Sequence, residues 1–155
     1  MKGLSWVSVA ILLMICGCGP NQQQYMGGLE QSVKPLIQKD LTEAIKYFGL
    51  SEDTATVSEV KLTKFSKDRN YYVGKAKINF KPLEINGKRV ETKATVDQLG
   101  AREVPVTYEY LIDVQVATEK PNDDMFNYKY DSEQLSLAIG EYVDLIMQVA
   151  RATAR

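Results

Sequence analysis

The chain has 155 residues, 19 Lys and Arg against 20 Asp and Glu, a net charge of −1, two cysteines and no histidine. So even a balance leaves no basic footprint for nucleic acid, and none is expected as a partner. Without histidine, the common zinc ligand sets and the Ser-His-Asp and Cys-His catalytic arrangements cannot be assembled.

Lys2 is followed by an apolar run over residues 4–15. That run is well short of the ~20 residues a membrane-spanning helix needs. It ends in small residues, Gly17 and Gly19, and then turns polar at Pro20-Asn21-Gln22-Gln23-Gln24, which is the pattern of a cleaved export signal. Ile15-Cys16-Gly17-Cys18 resembles the cleavage box of bacterial lipoprotein signals: an aliphatic residue, a small residue, Gly or Ala, then Cys. The resemblance implies that residues 1–17 are removed, that the Cys18 thiol takes a diacylglyceryl group, and that the mature chain is anchored to a membrane. Each buried methylene adds ~0.8 kcal/mol, and two or more chains hold stably where one does not. Gly19, where lipoproteins kept at the inner membrane often carry Asp, implies outer-membrane delivery facing the periplasm in a Gram-negative cell. After cleavage Cys18 is the only cysteine, so the apolar core has no internal disulfide to assist it.

Residues 18–31, with three glutamines and two adjacent glycines, read as a flexible tether. A helix follows, capped by Ser32, with Pro35 in its first turn, a stripe of Val33, Leu36, Ile37, Leu41, Ala44, Ile45 and Phe48, and a stop at Gly49. The period then changes to two. Strands are expected over residues 57–65 and 71–81, the second with Tyr72, Ala76, Ile78 and Phe80 on one face and Lys75, Lys77 and Lys81 on the other. Asn86-Gly87 marks a hairpin, with a strand beyond it carrying Val90, Thr92, Ala94 and Val96 and a turn over residues 97–103. The longest alternation predicts one strand over residues 104–117, with Tyr108 and Tyr110 on its apolar side. A loop at residues 120–124 and a short edge strand at 125–130 lead to a final helix. Asp131 or Ser132 caps that helix, Gln134 reaches back, and Leu135, Ala138, Ile139, Tyr142, Val143, Ile146, Val149 and Ala150 form its stripe. Arg151 and Arg155 suit its C-terminal dipole.

Helix, strands, helix, without βαβ alternation, predicts a single α+β domain over residues 32–155: an antiparallel sheet of four to five strands packed on one face by an N-terminal and a C-terminal helix. The outline is similar to cystatin-like and NTF2-like domains, an analogy of architecture alone.

Candidate functional residues are few. Lys75, Lys77 and Lys81 offer a basic face to an acidic partner or anionic lipid, although lysines also guard sheets against edge aggregation. Tyr108 and Tyr110 are candidates to line an aromatic pocket between sheet and helices. Asn122-Asp123-Asp124 lacks the spaced donors and distal Glu of a calcium loop and reads as a polar turn, so no metal or cofactor is expected. A hydrolase built on two carboxylates stays open, because their separation is not visible in a sequence. The leading expectation is a non-catalytic, lipid-anchored envelope module that binds an envelope protein through a sheet edge or the basic face; the alternative is a small-ligand carrier.

Overall fold

The computed structural model describes residues 20–65, 70–120 and 123–154. The Ile15-Cys16-Gly17-Cys18 box and Arg155 lie outside them. Among the described residues two helices and eight strands follow one another: α1 (Pro20–Tyr47), a 3₁₀ turn (Glu52–Thr54), β1 (Ala55–Lys64), β2 (Tyr71–Phe80), β3 (Glu84–Ile85), β4 (Lys88–Arg89), β5 (Thr92–Asp97), β6 (Gly100–Pro105), β7 (Glu109–Thr118), β8 (Phe126–Tyr130) and α2 (Ser132–Thr153). The main sheet is antiparallel in the order β1-β2-β7-β8, and two small hairpins, β3-β4 and β5-β6, form an arm. The fold is therefore α+β, with two helices and a four-stranded antiparallel sheet as its main layers.

Helix α1 corrects the expected tether. Residues 20–31 are its first three turns, so Ser32 is not a cap and Pro35 lies inside the helix. Leu29 explains the extension. It heads a row of Val33, Ile37, Leu41 and Ile45, each no more than 4 % exposed, and Tyr25 and Met26 pack against the same core. A row with a spacing of four is inclined to the helix axis, so the buried seam winds round α1. For that reason Leu36 and Phe48, placed on the stripe by a spacing of three, are partly exposed. Gly49 does end the helix at φ 73°, with its N–H on Lys46 O (2.9 Å) and that of Leu50 on Ile45 O (3.1 Å). This is the paired arrangement that satisfies the last carbonyls.

In β1 the buried side changes parity, from Ala55 and Val57 to Val60 and Leu62. A bulge between Val57 and Glu59 absorbs the extra residue, so both halves face the core. Tyr72, Ala76, Ile78 and Phe80 of β2 are buried as expected. Gly74 lies among them because β1 crosses too closely for a side chain. A Cβ there would lie 1.8 Å from Lys61 O.

The single strand expected over residues 104–117 is two strands. Its first part pairs with β5 as β6, and the turn expected over residues 97–103 shrinks to Gln98-Leu99. Its second part is β7, between β2 and β8. The break falls after Pro105, which has no N–H for a ladder. Burial alternates across the break all the same, through Tyr108, Ile112, Val114 and Val116, so one pattern spans two partnerships. The Asn86-Gly87 turn forms with φ of 52° and 74°, both positive as a type I′ hairpin requires.

Asp131 caps α2, its Oδ1 accepting from the N–H groups of Glu133 and Gln134 at 3.0 Å. The helix buries Leu135, Ala138, Ile139, Tyr142 and Leu145 in the same cluster as α1 and one face of the sheet. Leu145 replaces Val149 and Ala150 of the expected stripe, which reach the surface.

Candidate functional site

A sheet of four strands has two edges, and each exposes unpaired backbone groups unless something covers them. The β1 edge is covered. Glu30, Lys34 and Gln38 stand four residues apart on α1, on one side of the helix. Glu30 Oε1 accepts from the Leu62 N–H at 2.8 Å, and Gln38 Oε1 accepts from the Val57 N–H at 2.7 Å. Lys34 Nζ donates to Ser58 O at 2.7 Å, and Gln38 Nε2 to Ala55 O at 3.4 Å. The helix thus supplies side chains where a fifth strand would supply a backbone.

The first half of β7, beyond the reach of β8, is covered by the start of α2. The Asp131 N–H bonds Asp113 O at 2.9 Å, and Gln134 receives the Asp113 N–H at 2.9 Å while donating to Asp113 Oδ2 at 3.0 Å. Gln134 therefore does not reach back along its own helix; it clasps the neighbouring strand.

Among the described residues the outer edge of β8 has no such cover. The Asp131 N–H points at β7, and alternation makes Asn127 and Lys129 point inward with it. The backbone groups of Phe126, Tyr128 and Tyr130 consequently face away from the sheet. Among the described residues they have no hydrogen-bond partner. Beside the end of this strand a polar hollow of about 330 Å³ is lined by Asp113, Gln115, Lys129, Tyr130 and Asp131. The strand's side chains hold it to the core. Tyr128 OH donates to Asp40 Oδ2 of α1 at 2.8 Å, and burial together with that carboxylate pushes its hydroxyl pKa up to about 12. Tyr130 is raised by burial and by the charges of Asp40 and Glu43.

The three lysines lie on the open side of the sheet, each with a carboxylate partner. Lys75 meets Asp113 at 2.5 Å, directly across the ladder, and Lys77 meets Glu109 at 2.9 Å; Lys81 bonds Asp53. Lys75 and Gln134 hold the Asp113 carboxyl below its ordinary range, and Lys81 and Ser51 do the same for Asp53. Leu111 lies half exposed among these pairs. The face is charge-matched, and the acids that neutralise it come from β7, from the 3₁₀ turn and from nowhere adjacent in sequence.

Tyr108 and Tyr110 belong to a packed aromatic group. Phe80 stacks on Tyr142 at 4.8 Å and meets the edge of Tyr110 at 5.6 Å, while Tyr108 lies 6.5 Å from Tyr142. Their hydroxyls are engaged within the protein. Tyr108 OH accepts from the Leu83 N–H at 3.2 Å and donates to Val90 O at 2.9 Å, tying the arm to the domain. Tyr110 OH donates to Glu141 Oε2 at 2.9 Å, and burial and Glu141 raise its pKa. Tyr142 OH donates to Lys81 O at 2.8 Å.

Cys18 lies outside the described residues. Among those residues no three Cys, Asp or Glu side chains gather as a metal-binding group, and no helix is long and apolar enough to cross a membrane. No family model, no curated protein and no solved structure matches this chain. The expected edge strand at 125–130 is β8; what composition and periodicity did not single out is that its outer backbone is left uncovered among the described residues while the β1 edge is covered. The signal for it was faint: a five-residue alternation ending directly at a helix cap, which leaves no following strand to pair with it.

Proposed function

We propose that the protein is a lipid-anchored envelope module, held by an acylated Cys18, that binds an envelope protein by receiving an extended segment of it along β8. The anchor rests on the Ile15-Cys16-Gly17-Cys18 box, and Gly19 favours the outer membrane. The single observation that carries the binding mode is the outward backbone of Phe126, Tyr128 and Tyr130, unpartnered among the described residues, on a sheet whose other edge is covered by side chains. Strand addition takes its affinity from main-chain hydrogen bonds and its selectivity from hollows for alternate side chains. The polar hollow at Lys129 and Asp131 is positioned to supply the second. The reading requires no catalysis, in keeping with a chain that contains no histidine.

Photo-crosslinking in native membranes tests it. A benzoylphenylalanine in place of Asn127, whose backbone faces β7 but whose side chain is exposed on β8, is expected to yield one discrete adduct with an envelope protein, and the same probe at Thr63 of β1 none. Equal adducts from both edges, or none from either, would sink the proposal. Intact mass of the membrane-extracted chain beside a Cys18→Ser variant tests the anchor separately; no added acyl mass on the wild type removes it.

A further inference from the structure

Between the arm and the last turns of α2 runs a groove of about 360 Å³. Its walls are apolar: Ile85 and Val90 from the arm, with Leu145 and Val149 from the helix. The groove is held open by a specific clip. The Gln148 side-chain amide receives the Ala94 N–H at 3.0 Å and donates to Ala94 O at 3.1 Å, so it pairs with the strand as another backbone would and sets the distance between β5 and α2. Lys93 and Arg151 are the two cations in the lining. Lys93 leans to Glu141 at 3.5 Å, whereas Arg151 has no acidic partner among the described residues.

We propose that this groove binds a single-chain anionic amphiphile, of which a medium-length fatty acid is the simplest, with its chain along the apolar walls and its carboxylate on Arg151. The volume lies at the lower end of the ~300–1,000 Å³ usual for small-ligand sites, which suits one acyl chain and excludes a two-chain lipid. Apolar walls alone would accept any short hydrocarbon. The Arg151 guanidinium, without an acidic partner among the described residues, selects among them, because its planar fork pairs bidentately with a carboxylate. Lys93, shared with Glu141, adds positive potential at the same rim without being the principal ligand. The site depends neither on acylation of Cys18 nor on β8.

The test is fluorescence titration of the full chain carrying Cys18→Ser, which removes the proposed acyl group, with an 11-carbon dansylated fatty acid and competition by lauric acid and dodecanol. Saturable 1:1 binding is expected, displaced by lauric acid and poorly by dodecanol. Arg151→Glu, on an exposed helix turn, should weaken it about tenfold or more, and Ala94→Trp, which fills the groove, should abolish it with an unchanged circular dichroism spectrum. Absence of saturable binding overturns the site. Undiminished affinity in Arg151→Glu, or dodecanol competing as well as lauric acid, overturns the anionic ligand.

Discussion

The two edges of the main sheet meet the same physical problem and are treated differently. At β1, three α1 side chains hydrogen-bond four backbone groups, so an incoming strand would have to displace Glu30, Lys34 and Gln38 before it could pair. At β8, one hydroxyl, that of Tyr128, ties the strand down to Asp40 from the core side, and the lateral backbone groups stay open. Covering an edge with side chains protects it as a paired strand would, at little entropic cost when those side chains already stand in a row on a packed helix. Leaving the other edge bare is the arrangement expected of a surface that receives a strand.

The comparison can be broken most severely at Gly74. Gly74→Ala drives a Cβ into Lys61 O, and since backbone cannot yield as a side chain end can, β1 should part from β2 at a cost of about 3 kcal/mol or more, read by chemical denaturation. A well-folded variant of wild-type stability would show that the close approach of β1 and β2 is not needed.

Tyr128→Phe comes next. Losing one hydrogen bond to a charged acceptor should cost about 1.5–2 kcal/mol and loosen β8 while β1 stays protected, a contrast that amide exchange resolves. The same hydroxyl makes a pH prediction. Its pKa is raised from 10.0 to about 12, so the folded chain holds that proton more tightly than the unfolded one. The stability it contributes is complete below pH 10 and is lost as pH climbs from there through 12. Tyr128→Phe should flatten that alkaline decline; an unchanged slope would assign it to other tyrosines.

Gln38→Ala sharpens the other side. It strips the Val57 N–H of its acceptor, with a loss of about 1 kcal/mol and faster exchange at Val57 than at Val73 on the internal strand β2. If Val57 exchange does not rise, α1 shields the edge by bulk alone.

The smallest effect on stability, and the most telling on function, comes from a pair at Phe126. Phe126→Ala and Phe126→Pro both remove the half-buried ring, but only proline removes the outward N–H. The two should differ by less than about 1 kcal/mol in stability, whereas the crosslinked adduct on β8 should survive the alanine and vanish with the proline. Adduct retained in both variants would mean that the partner does not pair with this backbone.

The residues themselves determined much of this protein through local rules. Asn86-Gly87 dictates a hairpin because both residues accept positive φ, Gly49 ends a helix, Asp131 caps one, and alternation from Tyr108 to Val116 places one face in the core whatever pairs beside it. Each of these depends on neighbours within a few residues. Other features awaited the tertiary structure. The segment 20–31 looked too polar to pack, and it is helical because Leu29 joins a buried row that only the assembled sheet provides. The alternation over residues 104–117 was equally compatible with one strand or two, since period says which side is buried and not which strand lies alongside. Lysines that look like a bare basic face in sequence stand beside acids 28 to 38 residues away, and the open edge of β8 exists only by contrast with the covered edge of β1, far earlier in the chain. Pairing partners remote in the chain are chosen by packing, and no local pattern carries that choice.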